Sequence, residues 1–179
     1  MSTSPFRRIL IPIDFTQDTD AAVHSGFEVE IDGGGTVGVA PASTTALSLA
    51  AGIVDAAGEL CLVHATPTYD NARLYSGGMS VVGVGDIKAV HEAARRASMK
   101  VLEALANHYA AGISTTFVVR PGIAMQVILE EAERFGAQLL VIPASGRSRV
   151  ARFFLGSTAD RVIRESPCPV LVVPATPAE

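Results

Sequence analysis

The residues best suited to chemistry lie in "PASGRSRVARFFLGST", positions 143–158, where Gly146 and the pair Gly156-Ser157 bracket Arg147, Arg149 and Arg152. Glycine reaches positive φ freely, and the free N–H groups that open a helix, helped by its dipole, form a ready anion site. Ser157 adds a hydroxyl that contacts a phosphate or caps its helix with Asp160 three residues on, and the two roles are compatible. The arginines bring local positive charge, although such side chains are more often solvated or paired with the protein's own carboxylates. A second candidate is Asp14, which follows the apolar "ILIPI" and so ends a strand. Its carboxylate either accepts hydrogen bonds from a ribose or a base, or serves as a turn residue or helix-entry cap. Pro12, two residues earlier, has no donor and predicts a local strand irregularity.

No catalytic set accompanies these groups. His64 stands inside an apolar run, where a histidine is usually packed and hydrogen-bonded rather than a base. His24, His91 and His108 have no metal-ligand spacing with cysteines or carboxylates. Ser145-Gly146 is not a nucleophile elbow, because G-x-S-x-G is absent. "GVGDIK" lacks the third glycine of a dinucleotide fingerprint. The sequence nominates no enzyme.

Composition narrows the classes further. The chain has 179 residues, 49% hydrophobic and 18% charged, which is enough to bury one core as a single domain over 1–179. A net charge of −4 argues against a general nucleic-acid binder, since such binding is driven largely by lysine and arginine. The two cysteines, Cys61 and Cys168, sit in apolar runs and are too few for a disulfide framework. "MSTSPFRRILIPIDF" lacks the apolar region of a signal peptide, and no run reaches the roughly 18 apolar residues of a membrane span. A cytoplasmic protein is expected, with no membrane partner.

Five apolar runs read as strands: "RILIPID" (8–14), "LCLVHAT" (60–66), "STTFVVRPG" (114–122), "AQLLVIPAS" (137–145) and "CPVLVVP" (168–174). Helical periods separate them. "STTALSLAAGIVDAAG" opens on Ser/Thr capping candidates and ends in Gly58, "DIKAVHEAARRASMKVLEALANHYAAG" closes on Gly112, "IAMQVILEEAERFG" on Gly136, and "GSTADRVIRES" before Pro167. The alternation implies a doubly wound α/β sheet with right-handed crossovers, whose ligands bind beyond the carboxyl ends of the strands. Residues 24–42 break the rhythm: alternation of Phe27, Val29 and Ile31 with Glu28 and Glu30, followed by "DGGG", reads as an inserted β-hairpin or as a flexible glycine-rich loop.

These residues resemble the universal stress protein family. The resemblance rests on "RRILIPIDFT", "ELCLVHATP" and the segment from "VVRPGIAMQ" to "CPVLVVP", and it covers nearly the whole chain except residues 20–42. It implies a Rossmann-like sandwich, like that of the adenine nucleotide α-hydrolases: five mainly parallel strands with helices on both faces. It also implies a homodimer through the final strand, Cys168 to Pro174, and includes members that bind ATP and members that do not. The nucleotide-binding pattern G-x2-G-x9-G-[ST] is matched by Gly146, Gly156 and Ser157, with Thr158 beside them, whereas Pro143 replaces the first glycine. Arg149 stands where another glycine is frequent. Asp14 matches the family's adenine- or ribose-facing aspartate, and Ala65 takes a position that often holds a valine against adenine. The resemblance therefore implies ATP or another adenine nucleotide at Pro12, Asp14, Ala65, Gly146, Arg147, Arg149, Gly156, Ser157 and Thr158, with Mg only alongside bound nucleotide. The insertion begins beside this pocket, where it would cover the nucleotide, occupy its place or join a neighbouring subunit. The opposing reading is an interaction module with an unknown protein partner, its pocket closed by Pro143, Arg149 or the insertion.

Overall fold

The computed structural model describes residues 5–16, 27–31, 35–66, 84–144 and 157–174. In chain order these form β1 (Phe6–Pro12), β2 (Phe15–Thr16), β3 (Phe27–Ile31), β4 (Gly35–Val39), α1 (Pro41–Ile53), β5 (Val54–Thr66), α2 (Val84–Tyr109), β6 (Ser114–Pro121), α3 (Ala124–Phe135), β7 (Leu139–Pro143), α4 (Ser157–Glu165) and β8 (Val170–Val173). Five strands make one parallel sheet in the order β6-β5-β1-β7-β8. The chain winds outward from β1 through β5 to β6, then returns to β7 and β8 on the other side. The fold is doubly wound α/β, and the direction of winding reverses between β1 and β7.

The strands are apolar on both faces because helices cover both. On one face Ile9, Ile11, Leu60, Leu62 and Val141 pack against Leu47 of α1 and Leu102 and Leu105 of α2, all fully buried. On the other, Leu10, Cys61, Val63, Leu140 and Ile142 meet Val127 and Ile128 of α3 and Val162 of α4. Each fully buried aliphatic side chain of this kind contributes about 1.5–3 kcal/mol.

Residues 27–31 and 35–39 form an antiparallel pair, and β2 joins its other edge, so a second sheet of order β2-β4-β3 follows β1. Its apolar side is spent on the core: Phe15, Phe27, Val29, Ile31 and Val37 pack on the α1/α2 cluster, to which Val39 belongs. Glu28 and Glu30 point to solvent, as period-two alternation requires.

Two boundaries differ from those the sequence suggests. Helix α1 starts at Pro41 with Ala40 as N-cap and no side-chain cap. Proline presets φ at the first helical position, and its missing N–H is one of those a helix start leaves without an intrahelical partner. The expected capping residues fall in the first turn instead, where the Thr44 and Thr45 hydroxyls donate to the Pro41 carbonyl, each at 2.9 Å. The helix also ends at Ile53, not Gly58, and the chain passes directly into β5. Between the pairs Phe6↔Val54 and Arg8↔Glu59 the register shifts, and the Ala57 amide donates to Asp55 Oδ1 at 3.0 Å. Gly58 is needed for close approach there, since a Cβ would meet the Arg7 carbonyl oxygen at 2.8 Å. Gly136 does end its helix, in the left-handed conformation with φ 65°.

Candidate functional site

The carboxyl ends of β1 and β7 meet at the point where the winding reverses, and the backbone explains why they part there. The pairing of β1 with β7 is Ile9↔Leu139 and Leu10↔Leu140. The Ile13 amide donates to the Val63 carbonyl at 2.8 Å, so Ile13 faces β5 and Pro12, by alternation, faces β7. On β7, the Leu140 and Ala144 amides donate to the carbonyls of Pro169 (3.0 Å) and Val173 (2.8 Å), so both face β8 and Pro143 faces β1. A further parallel rung would need Pro12 to donate to the Val141 carbonyl and Pro143 to donate to the Pro12 carbonyl. Neither proline has an N–H. The irregularity expected at Pro12 is thus absent on its β5 side, where Pro12 pairs with Val63, and the missing donor falls on the β7 side.

Asp14 lies exposed just beyond this opening, and its backbone amide donates to Ser43 Oγ at 3.5 Å. Ser43 is completely buried in the first turn of α1 and so ties the end of β1 to that helix. Ala65 is half-buried on the face of β5 that carries Cys61 and Val63, the α3/α4 face shared by Leu10 and Ile142. Ser157 opens α4, Thr158 is half-buried next to it and Ala159 is buried. The Asp160 carboxylate accepts from Arg164 Nη2 at 3.1 Å, an ion pair along the solvent face of α4. Gly146, Arg147, Arg149, Arg152 and Gly156 lie outside the described residues. The opening thus brings together Pro12, Asp14, Ile142 and Pro143.

Two features were not anticipated from the sequence. The first is a stack of Phe15 on His64, with ring centroids 3.7 Å apart and planes at 18°. His64 Nδ1 lies 2.9 Å from the Ile13 carbonyl oxygen, which only accepts, so Nδ1 carries the proton. Burial holds the His64 pKa below the usual histidine range, against the opposing effects of that hydrogen bond and the Asp14 charge. The phenylalanine that follows Asp14 and the histidine near the end of β5 were the available signal.

The second is a charged cluster beside β6. Glu131 of α3 is 1% exposed and accepts from Arg120 Nη1 at 2.7 Å and Arg134 Nε at 2.6 Å, while Arg120 Nη2 donates to Glu130 at 2.7 Å. Burial by itself would raise the Glu131 carboxyl pKa, but the two arginines more than reverse this and hold it below the ordinary range. A cleft of about 420 Å³ lined by Arg95, Met99, Phe117, Arg120, Glu131 and Arg134 runs alongside. Its cations already have carboxylate partners, including Glu92 for Arg95 at 3.5 Å, so it reads as a closed charge cluster. The sign in the sequence was a glutamate between Ile128 and Ala132, at an inward position of an amphipathic helix.

Cys61 is buried, and burial followed by the nearby Glu131 charge pushes its thiol up to about 12, so it is no nucleophile at neutral pH. Among the described residues no group of His, Cys, Asp and Glu is arranged to hold a metal. Among them, too, no helix is long and apolar enough to cross a membrane.

The model of the universal stress protein family matches residues 5–174. The chain belongs to the universal stress protein family. Universal stress protein MJ0531 of Methanocaldococcus jannaschii is 36% identical over 76 residues, a match spanning 42% of this universal stress protein and 44% of that relative. The chain therefore aligns with less than half the length of this relative. The solved hypothetical protein MJ0577 superposes with a TM-score of 0.65 at 18% identity, over 97% of this chain and 99% of that one. A universal stress protein family protein from Arabidopsis thaliana, solved with AMP bound, superposes with a TM-score of 0.60 at 14% identity, over 94% and 92%. At these identities the superpositions show a shared fold.

Proposed function

We propose that this universal stress protein is a cytoplasmic stress-response protein that binds an adenine nucleotide, ATP or AMP, and works as a homodimer joined through Cys168 to Pro174. The nucleoside lies over the opening between β1 and β7 with Asp14 toward it and Ala65 beneath the base. The phosphates lie toward Gly146, Gly156, Ser157 and Thr158, with Arg147 and Arg149 nearby, and Mg accompanies only bound nucleotide. The observation that carries this reading is the ladder between β1 and β7, which stops at the reversal of winding with Asp14 at its rim, where ligands of doubly wound sheets dock. AMP in the Arabidopsis thaliana relative supports the choice of ligand.

Equilibrium binding of ATP and AMP to nucleotide-stripped protein tests it. Saturable binding is expected, and no binding at millimolar ligand rejects the reading. Pro143 favours a second reading, an interaction module without nucleotide, because it removes the N–H a glycine would offer at that position. Nucleotide carried through purification, seen as excess absorbance of the base, counts against that alternative.

A further inference from the structure

We infer that the outer edge of β6 is a docking groove for an extended segment of another protein, one whose side chains alternate between apolar and acidic. It lies in a different part of the molecule from the nucleotide reading and does not depend on it. β6 ends the parallel sheet, and among the described residues it pairs only with β5. The Gly122 amide donates to the Thr66 carbonyl at 3.0 Å, so Gly122 faces β5, and alternation turns Arg120, Val118 and Thr116 the same way. The N–H and C=O groups of Thr115, Phe117 and Val119 therefore point outward, and among the described residues no strand takes them up. Pro121, at the end of the strand, also lies on the outward side, where its missing N–H costs the ladder to β5 nothing. A strand edge of this kind accepts a further strand through backbone hydrogen bonds.

The cleft of about 420 Å³ follows this edge, and every residue lining it belongs to α2, β6 or α3. A strand laid beside β6 projects alternate side chains toward the two faces of the sheet. On the α2 face it meets Met99, Phe117 and Val119, all half-buried, which suit apolar side chains. On the α3 face it meets the guanidiniums of Arg120 and Arg134, which suit carboxylates. The bonds to Glu130 and Glu131 close the cleft to a small anion and hold these guanidiniums in place, but a guanidinium has more N–H donors than those bonds use. Three arginines against one glutamate line the cleft, so it keeps positive charge in a chain of net charge −4. That excess opposes a second copy of the same edge, which would set like charges together, and favours an acidic partner.

The test uses the full chain and two short capped peptides, one alternating valine with glutamate and the other valine with lysine, followed by calorimetry and amide hydrogen exchange. The glutamate peptide is expected to bind roughly tenfold more tightly than the lysine peptide and to protect the Thr115, Phe117 and Val119 amides. Equal affinity for the two peptides, no binding of either at millimolar concentration, or protection elsewhere overturns the inference. Protection of these amides that rises with protein concentration, without peptide, would place a second copy at the edge and overturn it too. Val119→Pro removes one outward N–H and leaves the β5 ladder intact, so it should weaken the glutamate peptide severalfold, and full binding by this variant overturns the inference. Arg95→Glu, at an exposed α2 position, changes the charge without touching the strand and decides the matter if Val119→Pro does not fold. The preference for the glutamate peptide should then shrink severalfold, and an unchanged preference would mean that the charge of the cleft selects no partner, contrary to the inference.

Discussion

Along its β5 side, β1 is paired without a break from Arg8 to Pro12, whereas along its β7 side the pairing is Ile9 and Leu10 alone. The same apolar strand thus serves two ends. Toward β5 it is sealed, and the seal continues outward, since β5 pairs with β6 at every position from Glu59 to Thr66. Toward β7, two prolines hold it open. The difference matches the backbone chemistry of positions 12 and 143, where a further rung would need two N–H donors that proline lacks.

The largest expected contrast is in stability. Leu62→Ala, on the sealed side, removes a fully buried side chain from the α1/α2 core and should cost about 2–5 kcal/mol by denaturant unfolding. The double substitution Pro12→Ala with Pro143→Ala should change stability by only about 1 kcal/mol, because two regained hydrogen bonds offset the lost stiffness of proline. Its signature lies elsewhere: amides at positions 12 and 143 should be protected from hydrogen exchange as the missing rung forms. Unprotected amides there would mean that the strands diverge for another reason. A loss with Leu62→Ala below about 1 kcal/mol would remove the distinction between the two sides.

A smaller effect concerns pH. His64 titrates lower in the fold than in the unfolded chain, so the unfolded state takes up the proton first as pH falls. Stability should be full above the unfolded value of about 6.5 and decline as pH drops from there through the folded pKa. His64→Gln should flatten that slope in denaturant titrations between about pH 7 and 5. An unchanged slope would place the acid sensitivity at another residue. Glu131 acts at lower pH: its depressed carboxyl contributes stability above the usual carboxylate range that is lost as pH falls through its folded pKa.

Much of the sheet was legible because runs such as "LCLVHAT" and "AQLLVIPAS" are apolar on both faces, a pattern that suits a sheet covered by helices on each side. The end of α1 was not, because Val54 to Gly58 contains alanines that suit a helix equally well, and its assignment to β5 is decided by tertiary pairing with Phe6 and Arg8. For the site, Pro12, Asp14 and Pro143 could each be singled out along the chain. Their relation could not, since which strand each proline faces depends on the parity of hydrogen bonds to Val63 and Val173, more than 25 residues away in either case. The Phe15–His64 stack and the burial of Glu131 are likewise products of long-range packing.

Amide shift mapping with AMP addresses most directly whether the ligand site lies at the opening. The expected result is saturable perturbation of Ile13, Asp14, Ala65, Ala144 and Thr158, with Phe117, Val119 and Arg120 beside the charged cleft unmoved. Shifts confined to Phe117, Val119 and Arg120, or no shifts at millimolar AMP, would contradict it.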